Sequence, residues 1–305
     1  MSERPVLVTG ANGRLGLALC RRLAEASPPR RVRALVRSER AASLVRALPS
    51  RPGVAIVDYA DTDSIAEQSR GCDAAVHLVG ILKETRANRY VDAHERACAA
   101  LAQAADRTGL RRIVSLSILG ADPDSPNACL ASRARADAIL LRAKTPAVVI
   151  RVPMVLGAGD PASAALARQA HGPRARLVRG GESLEQPIAA RDAVAALAAA
   201  LDRPGLDDAV LELAGPESLS HRALVQRAAA VLGSRVEIAG VPAALAYAAA
   251  WIAERIAADP PITRAMLGVL EHDDAIDPEP ARAKLGIALT PLDAALREAL
   301  VERGR

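Results

Sequence analysis

The stretch that decides the fold is Val6–Gly16, which reads V-L-V-T-G-A-N-G-R-L-G near the start of the chain. A short apolar run opens into three glycines spaced three residues apart, and a segment predicted as the helix Leu15–Ala26 follows. Gly10 permits a tight turn, and Gly13 lets the backbone approach a pyrophosphate closely. Gly16 lets the helix pack closely on the sheet. Backbone N–H groups and a helix N-terminus then face a phosphate. We interpret the stretch as a dinucleotide site; a βα turn without a ligand is the alternative.

The composition excludes several classes of protein. Half of the 305 residues are hydrophobic but Phe is absent, so the core must consist of Ala, Leu, Val and Ile. The net charge of +5 comes without a dense basic run that alternates with aromatic residues, so nucleic-acid binding is not indicated. The four cysteines are widely spaced and include no Cys-x-x-Cys, which argues against a metal site or a disulfide framework. They are Cys20, Cys72, Cys98 and Cys129.

The distribution of apolar residues along the chain indicates where in the cell the protein is found. The first residues lack the apolar core of a secretory signal. The longest apolar run, Val241–Ala253, is too short to cross a bilayer before Glu254 and Arg255 interrupt it. We therefore expect no transmembrane segment and a cytoplasmic location.

Strands and helices alternate through the first half of the chain, which is typical of a parallel sheet covered on both faces. The expected strands are Val6–Thr9, Val32–Val36, Val54–Val57, Ala74–Val79, Ile113–Leu116 and Ala147–Val152. The helices expected after the first are Ala41–Ala47, Ser64–Ser69, Tyr90–Thr108 and Ala131–Ala143. The pattern predicts an α/β fold with a doubly wound Rossmann sheet.

Pro and Gly punctuate the second half, and its predicted elements are mainly helical. Short strands are expected at Arg176–Arg179 and Val210–Leu213, and Ser220 is a good N-cap. The predicted helices are Arg191–Leu201, His221–Leu232, Pro242–Ala258, Pro261–Leu270 and Pro291–Val301. We assign residues 1–158 and 174–215 to the dinucleotide-binding domain, and residues 159–173 and 216–305 to a smaller domain on the substrate or partner side.

The residues after the strands indicate which dinucleotide is bound. An acid at the end of the second strand would favour NAD, whereas Arg37 stands there and suits the 2′-phosphate of NADP. Arg14 is expected on the same side of the adenosine ribose. Asp58 and Tyr59 follow the third strand, where a carboxylate can accept the adenine amino group. We therefore predict that NADP(H) is preferred over NAD(H).

Together these residues resemble the extended and atypical short-chain dehydrogenase/reductase superfamily, which includes the nucleoside-diphosphate-sugar epimerases. The resemblance covers nearly the whole chain and rests on ordered motifs. They are T-G-A-N-G-R-L-G from Thr9, V-D-Y-A-D-T-D-S-I from Val57, H-L-V-G from His77, V-S-L-S-I-L-G-A-D from Val114, R-V-P-M-V-L-G from Arg151 and Q-P-I-A-A-R-D-A-V from Gln186. The segments H-L-V-G-I-L, G-A-D-P-D-S-P and P-I-T-R look most like the branch that contains the nucleotide-binding accessory subunit of respiratory complex I and its bacterial relatives.

The family's catalytic signature is Tyr-x-x-x-Lys, and this chain departs from it. The matching stretch runs from Cys129 to Asp137, with Cys129 in place of the Tyr and Arg133 in place of the Lys. Ser117 matches the family's Ser that hydrogen-bonds the substrate or the Tyr. A fixed cation such as Arg133 could lower the pKa of a Cys129 thiol; a small buried filler is the other interpretation of that cysteine.

The resemblance and the residues together give a predicted site. The candidate catalytic positions are Ser117, Cys129 and Arg133. Pro153 and Val155 match positions that line the nicotinamide, Arg133 can hold ribose hydroxyls, and Val79 and Gly80 run beside the pyrophosphate. The predicted cofactor-binding residues are Gly10, Asn12, Gly13, Arg14, Leu15, Gly16, Arg37, Asp58, Tyr59, Val79, Gly80, Arg133, Pro153 and Val155.

Three functions stay open at this point. The first is an accessory or sensory NADP(H)-binding protein that acts through an unknown protein or small-molecule partner at its C-terminal half, peripheral to a membrane complex as the complex I branch implies. The second is an active NADP-dependent reductase, epimerase or dehydratase that uses Ser117 with water, His94 or Cys129 as proton donor. The third is a redox-sensing regulator that binds NADP⁺ and NADPH unequally.

Overall fold

A seven-stranded parallel sheet forms the centre of the molecule. The computed structural model describes residues 4–85, 87–257 and 259–301. The strand order is β11-β6-β5-β4-β1-β2-β3, and every neighbouring pair is parallel. This is the doubly wound Rossmann arrangement that the sequence predicted. The strands of the sheet are β1 Val6–Thr9, β2 Val32–Val36, β3 Gly53–Ile56, β4 Ala74–His77, β5 Ile113–Ile118, β6 Ala147–Val152 and β11 Ala209–Glu212.

Helices cover both faces of the sheet. Along β1, Val6 and Val8 join the core beneath α1, α2 and α7, while Leu7 joins the core beneath α3, α4 and α5. No described helix is long and apolar enough to cross a membrane. The helices are α1 Arg14–Ala24, α2 Glu39–Arg46, α3 Thr62–Ser69, α4 Ala97–Thr108, α5 Ala128–Leu141, α6 Pro161–His171, α7 Ala190–Asp202, α8 His221–Val231, α9 Ala243–Ile256, α10 Arg264–Leu270, α11 Glu279–Leu285 and α12 Leu292–Leu300.

Short polar side chains start several helices where the sequence changes from loop to amphipathic pattern. Ser220 accepts a hydrogen bond from the N–H of Ala223 at 3.2 Å, which confirms it as the N-cap of α8. Asn127 caps α5 and so starts that helix at Ala128, three residues before the predicted start. The predicted end of α9, Ala258, lies outside the described residues.

The predicted helix Tyr90–Thr108 is not α-helical throughout. Its first turn, Val91–Arg96, is a π-helix, and α4 begins only at Ala97. Such turns occur frequently at functional sites because the extra residue redirects the side chains of the turn. Here the turn brings His94 into the protein interior.

A second, smaller core is formed by α6, α8 and α12 together with short strand pairs. Strand β8 pairs in parallel with β13, and its Ala175 and Leu177 belong to this smaller core. The segment 174–178 therefore differs from the sequence-based division, which placed it with the large sheet. The remaining strands are β7 Val155–Leu156, β8 Arg174–Val178, β9 Leu184–Glu185, β10 Ile188–Ala189, β12 Leu219–Ser220 and β13 Glu237–Val241.

Candidate cofactor-binding site

The glycine turn joins β1 to α1 and leaves no room for side chains. Gly10 has a φ of +69°, and a Cβ on it would lie 3.0 Å from the carbonyl carbon of Leu78. A Cβ on Gly16 would lie 2.6 Å from the carbonyl oxygen of Gly10 and 2.7 Å from Ala11 Cα. The close contact at Gly16 is thus with the turn itself, whereas the sequence analysis attributed it to packing of the helix on the sheet.

The N-terminus of α1 faces the cleft without a side-chain cap. Its N-cap residue is Gly13, and the first turn carries no acidic residue. The N–H groups of that turn have no acceptors within the helix, and the helix dipole makes this end positive. These are the properties of an anion site at a helix N-terminus.

Tyr59 braces the glycine turn. Its hydroxyl accepts a hydrogen bond from the N–H of Gly10 at 2.9 Å and donates one to the carbonyl oxygen of Leu35 at 2.8 Å. Burial raises the pKa of this phenol, so it stays protonated. Tyr59 therefore connects three strand ends, and its ring lines the cleft.

A cleft of about 1060 Å³ lies at the carboxyl ends of β1 to β4. Its volume is slightly above the usual range for ligand sites, roughly 300–1,000 Å³. The structure brings together most of the predicted cofactor residues here, namely Gly10, Asn12, Gly13, Arg37, Asp58, Tyr59, Val79 and Gly80. The sequence analysis missed further lining residues, among them Asn88, Asp92 and Arg96.

Arg37 lines this cleft directly after β2, where two contacts hold its side chain. Its Nη1 donates to Asn88 Oδ1 at 2.9 Å, and its guanidinium carbon lies 5.9 Å from the centre of the Tyr59 ring. The exposed Asp58 uses Oδ1 to accept a hydrogen bond from the N–H of Ala60 at 3.0 Å.

The remaining predicted cofactor residues lie elsewhere. A Cβ on Gly159 would lie 2.7 Å from Nη2 of Arg14, so that guanidinium packs on the loop before α6 and not beside Arg37. Leu15 and Val155 pack against the core beneath α1. Pro153 is buried directly before Met154.

Cys129 is enclosed at the position where the family has its Tyr. The residue is fully buried, and Sγ lies 3.7 Å from the carbonyl oxygen of Ile81. Burial raises the pKa of the thiol; Arg133 and Tyr90 oppose this shift without cancelling it. The thiol is therefore neutral, which favours the alternative of a small buried filler over activation by Arg133.

Arg133 packs on the loop that follows β4. Its Nη1 donates to the carbonyl oxygen of Val79 at 3.2 Å. A Cβ on Gly80 would lie only 1.6 Å from Nη2, so a larger residue at this position would displace the guanidinium. The structure thus places Arg133 at the predicted pyrophosphate loop, with its side chain fixed by protein contacts.

Ser117 belongs to a buried polar cluster. Its Oγ donates to Asp137 Oδ2 at 3.0 Å, and Arg151 Nε donates to the same oxygen at 3.0 Å. Burial raises the pKa of Asp137, while Ser117 and Arg151 oppose the shift. The Ser117 hydroxyl is therefore committed to a protein acceptor.

Two buried imidazoles lie beneath the loop that follows β4. His77 Nδ1 is 2.8 Å from Thr9 Oγ1, and His94 Nε2 is 3.1 Å from both the nitrogen and the oxygen of Ile81. Burial, with Arg133 as a second cause, lowers the pKa of each to about 3. Within the described residues, His77 Nε2 and His94 Nδ1 have no hydrogen-bond partner. Both rings are neutral near pH 7.

A second cleft of about 750 Å³ lies between this loop, the start of α5, and α9 with α10. Tyr90 lines it, stacks on His94 with ring centres 5.4 Å apart, and donates its hydroxyl to the carbonyl oxygen of Leu82 at 2.8 Å. Tyr247 also lines this cleft and donates to Glu271 Oε2 at 2.7 Å. The clefts share the loop 78–90 as a common wall.

Comparison with known proteins agrees with this geometry. A family model described as NAD(P)H-binding matches residues 10–204, which include the glycine turn and most of the sheet. The chain belongs to this NAD(P)H-binding family. Solved structures share its fold. The structure of gox2253 matches with a TM-score of 0.76 and 22% sequence identity, and the match covers 99% of this chain and 100% of that chain. The UDP-N-acetylglucosamine 4-epimerase of Bacillus cereus matches with a TM-score of 0.72 and 16% identity, and the match covers 98% of this chain and 99% of that chain.

Curated relatives of this family member divide into two kinds. Subunit 9 of the mitochondrial NADH dehydrogenase 1 alpha subcomplex of Arabidopsis thaliana is 30% identical over 55% of this chain and 43% of its own length, so the match spans less than half of that relative. Ceramide reductase of Caulobacter vibrioides is 27% identical over 78% of this chain and 73% of its own. A 4-hydroxy-2-methyl-3-oxo-4-farnesyl-3,4-dihydroquinoline-1-oxide ketoreductase of Stigmatella aurantiaca is 28% identical over 92% of this chain and 91% of its own length.

Proposed function

We propose that this protein binds NADP(H) in the cleft of about 1060 Å³ and acts as an accessory or sensory protein. The uncapped N-terminus of α1 fits a pyrophosphate, because the N–H groups of its first turn have no acceptors within the helix and its N-cap residue Gly13 brings no side chain. The residues that would hold the dinucleotide are the glycine turn, Asn12, Asp58 and the loop at Val79–Gly80. When bound, it would supply a nicotinamide that can carry a hydride.

The preference for NADP(H) over NAD(H) rests on Arg37. Its guanidinium lies at the end of β2, where a ribose 2′-phosphate would be met, and Asn88 holds it there. A charge-assisted bond of this kind contributes about 1.5–3 kcal/mol, enough for at least a tenfold preference.

The arrangement of Cys129 and Arg133 carries the proposal that the bound cofactor is not turned over by the family's usual chemistry. A general acid must reach the substrate oxygen with a proton it can release. Cys129 is buried under Ile81 with a neutral thiol, and Ser117 is bonded to Asp137. These contacts leave the cofactor with a structural or sensing role.

A partner at the C-terminal half completes this proposal. Helix α9 exposes Leu245, Ile252 and Ile256, whose exposed fractions are 62%, 50% and 80%. Apolar side chains clustered on one helix are typical of interaction surfaces. Because one relative is a subunit of NADH dehydrogenase, we propose a protein of a membrane complex as the partner and a peripheral location for this chain.

The experiment is to purify the protein, measure NADPH binding by the fluorescence of the nicotinamide, and follow its oxidation with a panel of carbonyl compounds. We expect tight binding without turnover. Oxidation of NADPH at rates that depend on the carbonyl compound would reject the non-catalytic proposal. Restoring the pair with Cys129→Tyr and Arg133→Lys should leave binding intact, and a gain of activity would reveal a retained substrate cleft.

A second candidate is an NADPH-dependent carbonyl reductase. It is favoured by the cleft of about 750 Å³ against the loop 78–90, and by two relatives that are named as reductases. The Tyr90 hydroxyl, which contacts Cys129 and lines this cleft, would then replace the missing Tyr as proton donor. If turnover is found, Tyr90→Phe should abolish it and Tyr247→Phe, in the same cleft, should not.

A further inference from the structure

An apolar cavity of about 210 Å³ lies between α6, β8 and the segment that ends α10. It is larger than the engineered apolar cavity of about 150 Å³ that binds benzene in another protein. Most of its lining is aliphatic. The principal apolar lining residues are Met154, Leu166, Leu177, Ile262, Leu267 and Leu270.

The cavity adjoins the cleft of about 750 Å³ and the turn after β6 that carries Met154. Met154 stands in the chain between Pro153 and Val155, the positions that the resemblance assigns to the nicotinamide. On its other side, α10 turns Leu267 to the cavity and Gly268 to the cleft of about 750 Å³. A molecule with its chain in the cavity could therefore present its polar end toward that cleft.

Among the described residues that line the cavity, one buried side-chain atom, Glu271 Oε1, has no hydrogen-bond partner. Both nitrogens of His221 have partners, since Nδ1 lies 3.1 Å from Glu185 Oε1 and Nε2 lies 3.3 Å from Gln169 Oε1. Glu271 accepts from Tyr247 through Oε2, but its Oε1 is buried and has no partner within the described part of the chain. An unpaired buried carboxylate oxygen is costly unless a ligand supplies a donor.

We propose that this cavity binds the aliphatic or isoprenoid chain of a neutral amphiphile whose head group donates a hydrogen bond, from a hydroxyl or an amide N–H, to Glu271 Oε1. The apolar lining selects the chain, and the Glu271 carboxyl selects a head group that donates a hydrogen bond, whereas an anionic head group would have to reach the exposed Arg176 on the same lining. This inference does not depend on whether the bound dinucleotide is turned over.

The test is a calorimetric titration of the full chain with 1-hexanol, 1-octanol and 1-decanol. Burial of each further methylene should lower Kd about fourfold until the cavity is full. Decyl methyl ether, which has no donor, should bind at least tenfold more weakly than 1-decanol. A Kd that does not change with chain length would overturn the proposal, and tighter binding of decanoate would overturn the neutral head group.

Matched variants on α6 locate the binding. Ala165 lines the cavity, whereas Ala164 is exposed on the same helix. Ala165→Phe should weaken 1-decanol binding at least tenfold and leave NADPH binding unchanged, while Ala164→Phe should leave both unchanged. Equal effects of the two variants would place the alcohol elsewhere.

A variant at Glu271 keeps the proposal testable if Ala165→Phe does not fold. Glu271→Ala should abolish the difference in affinity between 1-decanol and its methyl ether. If that difference persists in the variant, Glu271 is not the acceptor.

Discussion

Arg37 stands where β2 reaches the cleft, and its charge bears directly on which dinucleotide binds there. Arg37→Asp should lower NADPH affinity at least about tenfold, because a repulsive carboxylate replaces the partner of the 2′-phosphate, and should leave NADH affinity equal or higher. Fluorescence titration with each cofactor measures this. Arg22→Asp, on the exposed part of α1, is the matched control. An unchanged ratio of the two affinities would contradict the assignment.

His94 gives the protein a predictable response to acid. Its pKa is lowered to about 3 in the folded protein from an ordinary value of 6.5. Between these pH values the unfolded chain binds more protons, so stability falls as the pH falls through this range, by up to about 1.4 kcal/mol per pH unit. His94→Leu should reduce this slope in urea unfolding at pH 7, 6 and 5. Identical slopes in the variant and the parent would show that His94 is not buried as a neutral ring.

The sequence could predict the position of a site residue where the conformation of the neighbouring backbone determines it. Gly10 and Gly16 follow from the spacing of the turn. Asn88 and Arg96 could not be found that way, because they reach the cleft only when the loop after β4 folds back over the sheet. The contact between the Arg14 guanidinium and Gly159 could not be predicted either, because it joins the glycine turn to a distant loop.

At the level of elements, the turn between β1 and α1 is the least tolerant of change. Gly16→Ala should destabilise the protein by roughly 1–3 kcal/mol, because its Cβ would meet backbone atoms that cannot move without disturbing the turn. NADPH affinity should fall with it. Gly53→Ala on β3, whose added Cβ would be 3.8 Å from the nearest atom, should be tolerated. Denaturant unfolding of both variants measures the difference, and equal midpoints would contradict this account.

Helices and strands with a long periodic pattern of apolar residues could be predicted from the sequence. Very short strands, and helices whose apolar face is interrupted, could not. Of the six strands predicted in the first half, three have the predicted ends and the other three differ by at most two residues at an end. Helix α6 was missed although Asp160 caps it and Pro161 opens it, because its apolar face is broken by polar residues. The strands β7, β9, β10 and β12 have two residues each, a length at which alternation gives no signal.

For the whole molecule, the order of the strands in the sheet differs from their order in the chain. Strand β11, from residues 209–212, lies beside β6, although an excursion of more than fifty residues through the smaller core separates them in sequence. The sequence predicted a strand at Val210–Leu213 within the dinucleotide-binding domain, but not that this strand would lie beside β6, because that pairing joins segments far apart in the chain.

Because the chain returns to the large sheet after it has passed through the smaller core, cleaving the chain at one position cannot separate either part intact. A polypeptide that stops at residue 158 would leave β6, with Val148 and Ile150, as a bare edge ready to pair with other copies. We expect such a truncated polypeptide to aggregate when expressed alone, and to be rescued when residues 159–305 are co-expressed as a separate polypeptide. Recovery of a soluble monomer from residues 1–158 alone, judged by size-exclusion chromatography, would show that the pairing of β11 with β6 is dispensable.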